Sequence, residues 1–219
     1  MKKHHEDLYK LLSDILSKRK RIYLTNTQDN IILDQEDKNK YSQADLWQRS
    51  PKNYKHSAVL VPIFLKDDKL NLLLTQRTQK VQHHKGEISF PGGAKDEDDP
   101  TLEYTAIRET EEEIGIPGSN IKILGLLDDT FTLVSQFIIT PYVGIIPYPY
   151  KLNPNYNETK KILEIPVDFF LKLNNYWEDT FYYEGMHIKS PFFKWDDNII
   201  WGVTGYIITN LCAILKTIY

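Results

Sequence analysis

The chain has 219 residues, 41% of them hydrophobic, which suits one domain with a real core and excludes disorder throughout. A net charge of -3 and a pI of about 6.1 give no global basic field, so nucleic-acid binding is not expected. The single cysteine, Cys212, excludes an intramolecular disulfide and agrees with a reducing cytoplasm. The start, Met1-Lys2-Lys3-His4-His5, has no apolar signal core, and no run of about 18 apolar residues marks a membrane span.

Leu8, Leu11, Leu12, Ile15 and Leu16 repeat at helical spacing and predict an amphipathic helix from about residue 5 to 20. The basic run Lys18-Arg19-Lys20-Arg21 is read as cations favoured at a helix C-terminus, with a phosphate or membrane patch as the alternative. Residues 26–56 are polar and weakly patterned and read as a linker. Ala58–Leu65 and Leu70–Thr75 are apolar runs around Asp67-Asp68 and predict a hairpin. A loop leads to Ile88-Ser89-Phe90 and then to Pro91-Gly92-Gly93. The best-marked helix spans 100–114, with Asp99 as N-cap, Pro100 at its first position and Gly115 ending it. Strands are expected at 121–127 and 137–146, a short helix from Pro166 through Leu171, strands near 180–183 and 188–193, and a closing helix over about 203–217. Strands before, between and after helices argue for a mixed α/β or α+β domain.

The chemistry concentrates in Arg108-Glu109-Thr110-Glu111-Glu112-Glu113-Ile114-Gly115-Ile116. At about 100° per residue, Glu109, Glu112 and Glu113 share one arc roughly 100° wide. Ala106, Thr110 and Ile114 form an adjacent apolar arc that can pack on a sheet. Carboxylates this close repel one another, and a hard divalent cation with oxygen ligands relieves that repulsion; the bland reading is a solvated acidic face. Arg108 lies one turn before Glu112 and can hold that side chain. Pro91-Gly92-Gly93 lets the backbone turn tightly, so that a carbonyl can reach a metal and a diphosphate can approach.

This stretch resembles a Nudix box, whose pattern is G-x5-E-x7-R-E-U-x-E-E-x-G-U with U apolar. Gly93, Arg108, Glu109, Glu112, Glu113, Gly115 and Ile116 match. Thr110 stands where an apolar residue is usual, and Asp99 stands for the proximal Glu, with eight residues instead of seven before Arg108. Upstream, Leu73-Leu74-Thr75-Gln76-Arg77-Thr78 and Gly86-Glu87-Ile88-Ser89-Phe90-Pro91-Gly92-Gly93 are similar to the signature of a coenzyme A pyrophosphatase-like group, L-L-T-x-R-S-x3-R-x3-G-x3-F-P-G-G. Thr78 replaces Ser, and Gln82 replaces the second Arg. Leu127-Asp128-Asp129, Thr140-Pro141-Tyr142-Val143-Gly144, Asn157-Glu158 and Ile200-Trp201-Gly202-Val203-Thr204 look like the same group.

The resemblance implies one Nudix domain over 57–219, a mixed β-sheet sandwiched between α-helices, preceded by an N-terminal helix and linker over 1–56. It implies a Mg²⁺- or Mn²⁺-dependent hydrolase that opens the diphosphate of coenzyme A or a derivative by attack at phosphorus. Glu109 and Glu113 are expected to hold the metal, with Glu112 a further ligand or the base and the Gly93 carbonyl nearby. Arg108 and Glu109 join Glu112 as catalytic candidates. Arg77, Thr78, His84, Gly86, Phe90 and Gly92 are expected at the substrate, and Glu158 as a late acidic residue. Blander readings stay open for Arg77 as a strand-end salt-bridge partner, Glu158 as a surface glutamate, and His83 and His84 as ordinary loop. Tyr176, Trp177, Phe181, Tyr182 and Tyr183 either stack an adenine or pack the sheet; Trp201 and Cys212 read as packing residues. The expected partner is a small nucleotide-like molecule, with neither nucleic acid nor membrane, and a homodimer stays open. Two rivals remain: a hydrolase of another nucleoside diphosphate derivative, kept alive by Gln82, and a Nudix-fold module that binds a nucleotide without cutting it.

Overall fold

The computed structural model describes residues 2–22, 24, 53–78, 86–132, 135–183 and 186–218, the side chains of 2–5 and 181–188 excepted. Strands β1 (Lys55–Lys66) and β2 (Lys69–Arg77) form the expected hairpin. Its two-residue turn sets both Asp67 (φ 51°) and Asp68 (φ 59°) in the left-handed region, as a tight hairpin that matches strand twist requires. Short strands β3 (Ile88–Ser89) and β4 (Gly92–Ala94) follow, then helix α2 (Leu102–Ile114). Helix α1 (Lys2–Lys18) precedes them all. The chain continues through β5 (Lys122–Leu126), β6 (Thr130–Thr132), β7 (Phe137–Ile145) and β8 (Thr159–Pro166). It ends with α3 (Val167–Leu171), the meander β9 (Tyr176–Tyr183), β10 (Met186–Trp195), β11 (Asn198–Trp201), and α4 (Gly202–Leu215).

The main sheet has eight strands in the order β3-β2-β1-β7-β5, with β4 joined to β1, β6 to β7 and β8 to β2. It is mixed: β1 runs parallel to β7 from Lys55↔Phe137 to Ile63↔Ile145 and antiparallel to β2 and β4. The alternation of side chains along a strand divides its residues between two cores. Leu60, Phe64 and Leu73 meet Ile114 and Ile116 at the C-terminal end of α2. Val61, Ile63, Leu72, Leu74 and Val143 share a larger core with Leu12 and Leu16 of α1 and Leu211 and Leu215 of α4. Covered on both faces, β1 and β2 read as unbroken apolar runs. The fold is the expected mixed sheet between helices. No helix among the described residues is long and apolar enough to cross a membrane.

Two local expectations need correction. Helix α2 begins at Leu102, not at Pro100, and its N-cap is Thr101, whose side chain accepts from the Tyr104 N–H at 3.1 Å. Asp99 does not cap it because its carboxylate is already engaged by Arg108, Thr105 and the Asp96 N–H. The reading of the basic run as helix-end cations holds only in part: Lys18 lies in the last turn of α1 and the Arg19 N–H still bonds the Ile15 carbonyl at 3.0 Å. Arg19 and Arg21 lie beyond it and pair with Asp128 (2.5 Å) and Asp129 (2.7 Å). Asp129 is buried and also accepts from the Leu24 N–H and the Thr140 hydroxyl. Buried carboxylates of this kind need cationic partners, and the arginines supply them. Most of the expected linker, along with Gln82, His83 and His84, lies outside the described residues.

Candidate active site

The site is built where α2 crosses the start of β1. Strand β4 lies antiparallel on β1, pairing Ala58 with Gly93 and Val59 with Gly92. Gly92 adopts φ 154°, and a Cβ there would lie 2.3 Å from the Ala58 carbonyl oxygen. A Cβ on Gly93 would lie 2.5 Å from the carboxyl carbon of Glu109. The two glycines thus let backbone and carboxylate meet without a side chain between them.

Ala106, Thr110 and Ile114 are fully buried and seat α2 on the sheet. Thr110 takes the apolar place by donating its hydroxyl to the Ala106 carbonyl at 2.7 Å. This seating leaves Glu109, Glu112 and Glu113 exposed by unequal amounts. Glu113 is buried, Glu109 half-buried and Glu112 mostly exposed.

Arg108 organises the cluster. Its Nε and Nη2 grip both oxygens of Asp99 at 3.0 and 2.9 Å, a bidentate fork. Nη1 reaches Glu109 at 2.9 Å and Glu112 at 3.2 Å. The hydrogen bonds from Arg108 hold the Asp99 carboxyl well below the usual carboxylate range despite its burial. The same pairing holds the guanidinium charged far above its ordinary range. Glu109 is pushed up by burial, with Arg108 opposing.

Glu113 is the strained member. Burial pushes its carboxyl up to about 8; Arg77 and a Gly92 N–H oppose this, while the negative charges of Glu109 and Glu158 add to it. Its Oε2 is buried with no hydrogen-bond partner. Its backbone carbonyl accepts from Asn155 N at 3.0 Å and from the Thr159 hydroxyl at 3.4 Å, which fastens the 155–159 turn to the helix end. Arg77 pairs with Thr159 across β2 and β8, at a register break between Gln76 and Arg77. Arg77, Glu113 and Glu158 are brought together by this pairing.

The other expected residues have these places. Phe90 is packed into the main core. Thr78 is buried, its hydroxyl given to the Asn157 carbonyl at 2.8 Å. Gly86 turns the loop at φ 74° and accepts from Gln76 Nε2 at 3.3 Å. His84 lies outside the described residues. Sequence reasoning missed Asp99 as the fork partner of Arg108, although its place in the box was the available signal. Asn155 and Thr159 carried no signal of their own.

The donor set fits a hard divalent cation. Carboxylate oxygens of Glu109 and Glu113 and the bare backbone of Gly93 are oxygen donors, and the unpartnered Glu113 Oε2 is a buried oxygen that a cation would satisfy. Among the described residues no three His, Cys, Asp or Glu side chains already converge as a complete cage.

The NUDIX domain profile matches residues 54–163. Two bacterial proteins, each called an uncharacterized Nudix hydrolase NudL, are 36% identical over 159 residues. That is 73% of this chain and 84% of the protein from Photorhabdus laumondii, and 80% of the one from Yersinia enterocolitica. A MutT/nudix family protein from Enterococcus faecalis shares the fold with a TM-score of 0.50 at 16% identity, over 75% of this chain and 63% of that one. The chain belongs to the Nudix family. Within it, this protein is a hydrolase of the diphosphatase type, a class that generally works with a divalent metal such as Mg²⁺ or Mn²⁺.

Proposed function

We propose that the protein hydrolyses the diphosphate bond of coenzyme A or a derivative, giving 4'-phosphopantetheine and adenosine 3',5'-bisphosphate. The observation that carries the diphosphate reading is the buried Glu113 with an unpartnered oxygen, facing Arg77 and beside Glu109 over Gly93. The coenzyme A reading is supported by Arg77, Gly86 and Phe90-Pro91-Gly92-Gly93 standing in signature order.

Glu109 and Glu113 would hold Mg²⁺ or Mn²⁺, with the Gly93 carbonyl as the backbone donor. An ion held there would supply positive charge against the diphosphate and make a nearby water more acidic. Arg108 keeps Glu109 and Glu112 in place while Asp99 keeps Arg108 in place. Glu112, exposed and tethered, either takes the proton of the attacking water or completes the ligand set. Arg77 is placed to meet a phosphate, and Glu158 adds negative charge beside Glu113. Phe90 and Thr78 act here by packing and by fastening the 157–158 backbone.

Gln82 favours a second reading, hydrolysis of another nucleoside diphosphate derivative, an ADP-linked compound or a nucleoside triphosphate, because the signature's second cation is missing there. The test is mass-spectrometric product analysis with coenzyme A, ADP-ribose, NADH and a nucleoside triphosphate, each with Mg²⁺ or Mn²⁺. Metal-dependent release of the two named products supports the first reading. Survival of coenzyme A beside brisk cleavage of ADP-ribose, NADH or the nucleoside triphosphate replaces it with the second.

A further inference from the structure

Two arginines serve this site, and they are held very differently. Arg108 makes a complete fork with Asp99 at 2.9 and 3.0 Å. Arg77 Nη1 stands 3.7 Å from Glu113 Oε1, an ion pair too long for a hydrogen bond. Both partners are left incomplete: Arg77 Nε and Glu113 Oε2 are buried without a hydrogen-bond partner among the described residues. A charge pair with a buried carboxylate is normally short and well bonded, since a loose one does not recover the cost of burying that carboxylate. The Arg108 fork, whose arginine shares its helix with Glu113, shows that the fold can make the tight arrangement. The register break at Gln76/Arg77 sets Arg77 at the end of β2, where its guanidinium remains partly exposed.

We propose that Arg77 neutralises the ionised Glu113 carboxylate in the metal-free protein and is handed to a substrate phosphate when a divalent cation takes its place. This rests on the reading of Glu113 as a metal ligand. The exchange couples the two binding events: the cation releases Arg77 from Glu113, and the freed guanidinium, suited to bidentate phosphate contact, strengthens nucleotide binding. By linkage, the nucleotide strengthens cation binding by the same factor.

The test is titration of Mn²⁺ alone, and of ADP with and without Mn²⁺, followed by calorimetry. It is run at about pH 9, where carboxylate ligands are deprotonated. Proteins are wild type, Arg77→Met, Arg77→Lys and Glu113→Gln, each checked for fold by circular dichroism. Arg77→Met should bind Mn²⁺ alone more tightly, roughly 5-fold or more, because the competing cation is gone. It should also lose most of the Mn²⁺-dependent gain in ADP affinity. General structural damage would weaken Mn²⁺ binding, not tighten it. Arg77→Lys, which keeps the charge, should bind Mn²⁺ alone like wild type, and it serves if Arg77→Met does not fold: tightening there overturns the proposal. Unchanged or weaker Mn²⁺ binding by folded Arg77→Met also overturns it. If Glu113→Gln binds Mn²⁺ as wild type does, the metal-ligand reading itself fails. If Glu113→Gln loses Mn²⁺ while Arg77→Met gains nothing, only the exchange fails.

Discussion

Glu113 and Asp99 are both buried carboxyl groups of one site, yet their surroundings push them in opposite directions. Glu113 is raised from 4.5 to about 8, chiefly by burial. A carboxyl raised in the folded state contributes its full stability below the unfolded value and loses it as pH climbs through the folded one. The melting temperature of metal-free protein in EDTA should therefore fall by several degrees between about pH 5 and 8. In Glu113→Gln that slope should flatten, as differential scanning calorimetry would show. Asp99 is lowered by its bonds from Arg108; its contribution is present above the ordinary value of 3.8 and disappears as pH falls below it. Replacing Asp99 with Asn should leave the protein folded at pH 7 but cut turnover roughly 10–100-fold, the usual cost of losing a residue that orients a ligand. Steady-state kinetics would check this. Glu112→Gln, at an exposed position, should abolish turnover with the fold intact. Mn²⁺ calorimetry then separates its roles: retained binding marks a base, lost binding a ligand.

At the scale of elements, β4 and α2 act as one unit, because Gly93 lies directly against the Glu109 carboxylate. Gly93→Ala should fold, since its Cβ meets the movable end of a side chain, but it should lose Mn²⁺ affinity and turnover. Gly92→Ala instead meets backbone at 2.3 Å and should lower the melting temperature. The acidic face of α2, its apolar seat and its Gly115 stop were legible in the sequence because helical periodicity and a left-handed cap are local properties. Strand β4 was not: glycines carry no side chains to alternate. The role of Asp99 was misread because a capping residue and a buried ion-pair partner look alike until the fold sets Arg108 beside it. The approach of Glu158 to Glu113 depends on β8 pairing with β2, with Arg77 opposite Thr159, and no local pattern encodes so distant a contact.

Across the whole molecule, the N-terminal helix is part of the packing that supports the sheet. Leu12 is fully buried in the main core, and Ser13 donates to the Leu124 carbonyl at 3.0 Å. Arg19 and Arg21 clamp the following segment to Asp128 and Asp129. Leu12→Ala should cost about 2–5 kcal/mol, measured by urea denaturation. A chain lacking residues 1–24 should fold poorly, because it exposes the face of the sheet that α1 covers and leaves Asp129 buried without its arginine.

Glu109 and Glu113 are proposed to serve a divalent cation in splitting a diphosphate. The most direct test is turnover of coenzyme A and ADP-ribose in ¹⁸O-labelled water, with Mg²⁺ or with EDTA, for wild type and Glu109→Gln. ¹⁸O is expected in a product phosphoryl group only for wild type with metal. Label that appears equally in EDTA or in folded Glu109→Gln, or cleavage that leaves every phosphoryl group unlabelled, would contradict it.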